Sequence, residues 1–392
     1  MTTMTTDAAQ PKIAIFVADF SPTGVVVNAL AVARELRRRG VTVQFVAAQA
    51  EGTLRSAVPE GVTVTELLPA TAVLRRRQRL RKAIVPYRRF LAAFAPAVVF
   101  SAGNQGHLTT VTAAAGVSGL RIVVRISNDP DHESGEGRRS LVRGLLRRLR
   151  IRRIAAAADR LIFVSHRLLD GWASARGAPA SKAVVVPNGV DVDAVRLKGA
   201  EPCTHPWFGD AEAPVVLAVG RLVEQKNFGT LIQAVEIARR SRPLRLMLIG
   251  DGPLSERLTR QAKASGLHDD FEIMGPVANP MPYMARAKVV ALPSWWEGAS
   301  NVLLEAIACG TAVVASRTAG SAEEVLGGGT YGVLVDPADP DAIAAALLKQ
   351  LGPSRILPGQ RALDFTRQSA MDAYADLLIE EARLAASAAI RP

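Results

Sequence analysis

The sequence predicts an α/β protein built as two doubly wound, parallel-sheet domains. The chain has 392 residues, more than one ordinary core holds, since chains beyond roughly 250–300 residues split into domains. Hydrophobic residues make up 49% of it, enough to fill two interiors. Short β-branched runs alternate with helical stretches throughout, as parallel strands joined by crossover helices do.

Residues 12–18 read as a buried strand, followed by the Asp19–Gly24 loop and a helix to about Arg39, which Gly40 stops. There is no G-x-G-x-x-G here, so a bound NAD is not indicated. Strands follow at 41–48 and 62–66. The basic run from Leu74 to Lys82 then leads into Ile84, Tyr87, Leu91 and Phe94 at helical spacing. A strand at 97–101, a helix near 105–116 and a strand at 121–126 continue the alternation. Residues 138–158 form a second basic amphipathic segment. Its stripe is Leu141, Val142, Leu145, Leu146 and Leu149, with Arg138, Arg139, Arg143, Arg147, Arg148, Arg150, Arg152 and Arg153 around it. A strand at 160–164, a helix from Ser165 and a strand at 183–186 complete the first domain, assigned to residues 1–195. Pro187, Gly189, Pro202 and Pro206 mark a linker region.

The second domain, 196–365, opens on a strand at 215–219 and the loop Gly220–Lys226, with Asn227 placed to cap the helix of Leu231, Val235 and Ala238. Strands follow at 244–249, 271–274, 288–292, 311–315 and 331–335. Sites in such sheets lie outside the carboxyl ends of the strands. Arg221, Gly250–Gly252, Gly275–Val277 and Glu297 all fall at such ends. Gly327–Gly329 precedes a strand, not a helix, and reads as a turn.

Residues 1–190 carry 28 Lys and Arg against 12 Asp and Glu, whereas residues 191–392 carry 20 against 24. No acid occurs between Glu66 and Asp129. A first half this basic implies an anionic partner. Aromatics are only 5% of the chain, and Tyr87 and Phe90 alone flank the Arg runs, which argues against nucleic acid. An anionic membrane surface fits better. No run approaches the ~18 apolar residues of a spanning helix, and MTTMTTDAAQP lacks the layout of a signal peptide. Cys203 and Cys309 have no metal-ligand spacing and read as free thiols. The expectation is a cytoplasmic protein, peripheral on the inner face of the cytoplasmic membrane.

The stretch from Trp295 to Ser316 concentrates the chemistry. Ser300 suits an N-cap, Leu303, Leu304, Ile307 and Ala308 give helical periodicity, and Gly310 suits C′. A helix opening there aims the N–H groups of Asn301, Val302 and Leu303 outward as a phosphate seat. Glu305 leans back to the same mouth, and Glu297 approaches it from the loop. The pair suits a ligand bearing both phosphate and hydroxyls. Chance spacing, with a Glu merely favouring the helix dipole, is the plainer alternative.

Glu297 and Glu305, in EGASNVLLE, resemble the E-x7-E signature of retaining glycosyltransferase family 4, and the resemblance extends through residues 186–191, 220–235 and 249–253. It implies the GT-B fold, two Rossmann-like domains facing across a cleft, with the terminal helix 366–392 rejoining the first domain. It implies a nucleotide-sugar donor. Glu297 would hold sugar hydroxyls, Glu305 the ribose, and the amides of Gly298, Ala299, Ser300, Asn301, Val302 and Leu303 the diphosphate. Arg221 and Lys226 match the R-x4-K pair that steadies the leaving diphosphate. Gly24 matches the glycine loop over the donor phosphate, and Gly275 and Val277 the nucleobase edge. Front-face attack, with the leaving phosphate taking the acceptor's proton, requires no protein nucleophile. Neither cofactor nor metal is expected: Asp191-Val192-Asp193 resembles a D-x-D but sits in the linker, and Asp129-Pro130-Asp131 is similarly weak. Where many members place a His, this chain resembles the bacterial surface-polysaccharide type, with Ser127, Asn128 and Asp129 on the acceptor side and His107 or His132 as stand-ins. The expected activity is transfer of a hexosyl unit from a UDP-sugar, ahead of a GDP-sugar, to a lipid-linked saccharide or glycan precursor. A soluble acceptor, a nucleic-acid-binding role and a non-catalytic nucleotide-sugar sensor are the alternatives. Intact Arg221, Lys226, Glu297 and Glu305 weigh against the sensor.

Overall fold

The computed structural model describes residues 10–129, 141–176, 180–209 and 213–390. The chain forms two compact units. The first comprises Met1–Val164, Leu169–Val186 and Met371–Pro392, and the second Ser165–Leu168 and Pro187–Ala370.

The first unit contains β1 (Lys12–Val17), β2 (Thr42–Ala47), β3 (Thr63–Glu66), β4 (Val98–Ser101), β5 (Arg121–Ile126), β6 (Arg160–Phe163) and β7 (Ala183–Val185). They pair in parallel in the order β3-β2-β1-β4-β5-β6-β7. Central strands covered on both faces read as unbroken apolar runs, and Ile13 to Val17 are buried throughout. Phe16 stacks on Tyr87 with ring centroids 4.8 Å apart.

The terminal helix Arg367–Ile390 adds Tyr374, Leu378, Glu381 and Ala385 to this unit as a buried stripe. Glu381 is fully buried and accepts hydrogen bonds from Arg121 and, at 2.7 Å, from Nε of Arg160. Nε of Arg125 donates to the Tyr374 hydroxyl at 2.8 Å, and Arg39 bridges Glu35, Asp372 and Asp376. A buried carboxylate is tolerated when paired in this way.

The two basic segments part company. Residues 75–94 form helices Arg76–Lys82 and Ile84–Phe94, with Leu80, Tyr87 and Leu91 buried. Arg79 pairs with Glu51 and Asp19, and Arg88 donates to the carbonyls of Thr112 and Ala113. Arg79 thus finds its acids elsewhere in the chain, and the segment's apolar side packs into the domain, while Arg75, Arg77, Arg81, Lys82 and Arg89 stay exposed. In the second segment, the helix Leu141–Ala157 buries Ile151, Ile154 and Ala155. Its Leu145, Leu146 and Leu149 stand 60%, 56% and 51% exposed. Arg138, Arg139 and the side chains of Leu141, Val142 and Arg143 lie outside the described residues.

The second unit contains β8 (Val215–Val219), β9 (Arg245–Ile249), β10 (Phe271–Ile273), β11 (Val289–Leu292), β12 (Ala312–Ser316) and β13 (Val333–Val335), parallel in the order β10-β9-β8-β11-β12-β13. One core holds the helix Asn301–Ala308, the other the helices Phe228–Arg239 and Pro340–Leu351. Strand order reverses between β8 and β11, the switch point where doubly wound sheets open a crevice at their carboxyl ends. The division between units falls at Val186 and Pro187, ahead of the expected 195. Val190 bridges to Thr366, and Val192 and Val195 enter the second unit's core. Asp191 caps the helix Val192–Gly199 through the Ala194 amide at 3.0 Å.

Candidate active site

Loops from both sides of the β8/β11 switch point build the site. Trp295 N donates to Gln225 O at 2.9 Å, and Gln225 Nε2 to Trp296 O at 2.8 Å, lacing the loops together. Between them Lys226 Nζ lies 2.8 Å from Glu297 Oε1, the side chains only 15% and 8% exposed. Ser294 Oγ donates to the same oxygen at 2.6 Å. The Ser294 carbonyl in turn accepts from Ser316 and Thr318. A Cβ on Gly220 would lie 3.1 Å from Lys226 Cε, so the bare glycine leaves room for that side chain. Arg221 is exposed, and no hydrogen bond or ion pair engages its guanidinium among the described residues. It is free to turn onto an anion, and its planar fork suits phosphate oxygens.

Asn227 has φ 54° and makes no capping bond, contrary to its expected role. Its Nδ2 donates to the carbonyls of Pro293 and Pro337, at 3.1 and 2.8 Å, and Oδ1 accepts from Thr230. It fastens the loops after β8, β11 and β13 to one another. Gly250 and Gly252 have a structural reason: a Cβ would fall 2.0 Å from Gly220 O and 2.5 Å from Leu222 O.

Ser300 occupies the N-cap of Asn301–Ala308, but its side chain caps nothing and its buried Oγ has no partner. The first-turn amides of Asn301, Val302 and Leu303 therefore remain available to an anion. Asn301 Oδ1 accepts from Asn188 Nδ2 at 2.9 Å. Buried Gly298, and Ala299 after it, lead into the helix, and the Gly298 carbonyl accepts from Ser165 Oγ at 3.2 Å. Gly320, at φ +59°, approaches so closely that a Cβ would meet Gly298 O at 2.4 Å. One turn inside, burial pushes the Glu305 carboxyl up to about 7, with Arg367 and Lys198 partly opposing. Burial, with Glu305 adding to it, pushes the Cys309 thiol up to about 12, so it is no nucleophile at neutral pH.

Gly275 has φ +72° and its carbonyl accepts from the Gly250 amide at 2.9 Å, while Val277 packs partly buried against the core. Gly24 opens the helix Gly24–Arg38 in the first unit, behind the cap Thr23. Ser127, Asn128 and Asp129 close a turn after β5. Asn104 accepts from the Ser127 amide at 2.9 Å and donates to Asn128 O at 2.8 Å, and Asn128 Oδ1 takes the Asp129 amide. His107 is not available as a stand-in. It is buried between Ser101 Oγ, 2.8 Å, and Arg125 O, 3.0 Å, and burial holds its pKa down at about 3. His132 lies outside the described residues. Sequence reasoning missed Ser294, Gln225, Asn188, Ser165 and Gly320. Ser294 lies three residues before Glu297, and a loop hydroxyl that near a carboxylate was a usable signal. Gln225, Asn188 and Ser165 act across 71, 113 and 133 positions, and Gly320 through backbone approach, where spacing carries none.

Among solved structures, sucrose-phosphate synthase from Thermosynechococcus elongatus matches with TM-score 0.75 at 19% identity, over 95% of this chain and 99% of that one. Anabaena HepE in complex with UDP and glucose matches with TM-score 0.71 at 20% identity, over 95% and 100%. At these identities the likeness is one of fold, and the fold is GT-B. Residues 22–194 match the family Glycosyltransferase Family 4 and residues 213–352 the family Glycosyl transferases group 1, so the chain belongs to this group of glycosyltransferases. The GDP-mannose-dependent alpha-(1-6)-phosphatidylinositol monomannoside mannosyltransferase of Mycolicibacterium smegmatis is 37% identical over 211 residues, 51% of this chain and 55% of that protein. The N-acetylgalactosamine-N,N'-diacetylbacillosaminyl-diphospho-undecaprenol 4-alpha-N-acetylgalactosaminyltransferase of Campylobacter jejuni is 30% identical over 191 residues, 49% and 50%. The chain thus spans about half the length of the curated relatives it matches.

Proposed function

We propose that this protein transfers a hexosyl unit, with retention and without a metal, from a nucleotide diphosphate sugar to a lipid-linked saccharide or glycan precursor at a membrane surface. The observation that carries the reading is the Lys226–Glu297 pair, set between the exposed Arg221 and the uncapped helix end at Asn301. Breaking the sugar–phosphate bond loads negative charge onto the leaving diphosphate. Lys226 and the amides of Asn301 to Leu303 are already placed to answer that charge, and Arg221 turns onto it. Glu297, held by Lys226 and Ser294, keeps a fixed acceptor for sugar hydroxyls, and Glu305 one for the ribose. In front-face attack the acceptor oxygen bonds to the anomeric carbon as the phosphate leaves with the acceptor's proton, so the retained anomer needs no protein nucleophile.

The relatives bear on donor and acceptor. The mycobacterial protein's name specifies GDP-mannose, which sets a GDP-sugar beside the UDP-sugar that the sequence favoured. Both relatives are named for lipid-borne glycans, which supports a lipid-linked acceptor. Attachment to an anionic membrane is supported by the exposed Leu145, Leu146 and Leu149 among Arg147, Arg148, Arg150, Arg152 and Arg153. No helix among the described residues is long and apolar enough to cross a membrane.

The test is turnover of UDP- and GDP-hexoses on lipid-linked acceptors, with the product anomer read by NMR. Retention, activity surviving EDTA, and roughly 10²-fold slower turnover in Arg221→Ala are expected. Inversion, a strict need for added manganese, or wild-type turnover in that variant overturns the matching part.

A further inference from the structure

We propose that the second unit carries an anion pocket separate from the donor site, taking a phosphate or diphosphate group at the opposite edge of the sheet. The pocket has a volume of about 360 Å³, and its lining includes Pro214, Arg242, Lys288, Gln350, Leu351 and Arg355. Pro214 and Lys288 immediately precede β8 and β11, so the pocket adjoins the amino ends of the strands whose carboxyl ends feed the donor loops. A five-residue strand separates such ends by roughly 16 Å, too far for one diphosphate to serve both.

Three cations line this pocket and no carboxylate does. The neighbouring Arg239 and Arg245 share Asp270, at 2.5 and 3.3 Å. Arg242, Lys288 and Arg355 have no such counter-ion among the described residues. Arg242 Nη1 donates to Leu351 O at 3.1 Å, but its Nε is buried with no partner among the described residues. A buried donor on a permanently charged group costs free energy unless something accepts from it. The wall is also built rather than loose. Gln350 Nε2 donates to Val313 O and Ile356 O, at 2.9 and 3.2 Å, and its Oε1 accepts from Ile356 N at 2.7 Å, pinning the turn that presents Arg355. The helix Pro340–Leu351 ends here, and its carbonyls draw some positive charge. The Nη1 of Arg242 answers the Leu351 carbonyl, which leaves its Nε, Lys288 and Arg355 for a ligand.

The fitting chemistry is a phosphate-bearing group, from a soluble phosphate or from a lipid headgroup. The test is calorimetric titration of the full chain with inorganic pyrophosphate, with saturating UDP and GDP present to fill the donor site. A second arm uses phosphatidylcholine vesicles with and without phosphatidic acid. Both are repeated on Lys288→Gln/Arg355→Gln, whose side chains make no internal bond that folding needs. Binding to the wild type and at least about tenfold weaker binding to the double variant, with nucleotide affinity unchanged, is the expected result. An effect on pyrophosphate assigns a soluble anion, and an effect confined to vesicles assigns a headgroup. Absence of both, or equal binding by the double variant, overturns the proposal. Nucleotide affinity and turnover are read separately, so failure here leaves the donor-site reading untouched, and the reverse.

Discussion

Replacing Lys226 by Met should injure stability and turnover by two separable routes. Lys226 Nζ is 2.8 Å from a Glu297 carboxylate only 8% exposed, whose one other side-chain partner among the described residues is Ser294 Oγ. Removing the ammonium strands a nearly buried charge. Such single deletions cost about 3–5 kcal/mol for fully buried pairs, and the 15% exposure of Lys226 lowers the expectation to about 2–3 kcal/mol. Lys226→Met/Glu297→Gln removes the stranded charge and should recover most of that loss, because a pair replaced by neutral groups leaves little to desolvate. Turnover should not recover. The leaving diphosphate still lacks its ammonium, worth roughly 10²-fold, and the sugar lacks its carboxylate. Urea unfolding of the two single variants and the double, alongside steady-state kinetics, reads both routes. If the double variant is no more stable than Lys226→Met, the pair is not a buried unit. If Lys226→Met turns over like the wild type, Lys226 does not face the leaving group.

Other outcomes follow from the same geometry. The Glu305 carboxyl titrates at about 7 when folded against 4.5 for a freely solvated glutamate, so the folded state holds the extra proton between these values. Stability should therefore fall as pH rises from about 4.5 to 7, and Glu305→Gln should gain up to about 3 kcal/mol over the wild type at about pH 8 and nothing at about pH 4. Urea midpoints at the two pH values check this, and an equal gain at both would refute it. Gly250→Ala drives a Cβ to 2.0 Å from Gly220 O, so both loops must shift, and a large loss of thermal stability together with nucleotide affinity is expected. Unchanged melting and binding would show that the contact yields freely. Leu145→Ser/Leu149→Ser should weaken co-sedimentation with anionic vesicles at low salt by at least about tenfold, since each exposed leucine contributes on the order of 1–2 kcal/mol when buried in lipid. Equal sedimentation of variant and wild type, or equal binding of neutral vesicles, would refute attachment through this helix.

Strands were the most legible feature, and the reason is burial on both faces. A parallel strand under two helical layers has to be continuously apolar, so β1, β5 and β8 could be placed to within a residue or so. The donor loops were legible because a helix start, two glutamates and an Arg–Lys pair carry their chemistry at fixed local spacing. Caps were less so. Ser300 and Asn227 stand where cap residues belong, yet one hydroxyl is sealed without a partner and the other amide is engaged by Pro293 and Pro337. Local preference nominates a position, but the partner that actually arrives is set by chain from elsewhere.

The sequence by itself determined the two α/β domains, the place of the donor loops at the carboxyl ends of strands and the residue types that meet a diphosphate there. These depend on periodicity and on residues close together in the chain. Tertiary structure alone decided that Lys226 and Glu297, 71 positions apart, share one hydrogen bond. It decided that Glu381 lies between Arg121 and Arg160. It also decided which face of the helix Leu141–Ala157 packs inward, choosing Ile151 and Ile154 over Leu145 and Leu149. The amphipathic pattern permits either choice, because a stripe of apolar residues states only that something covers it. Which surface does so follows from long-range packing, and that enters no local window of sequence.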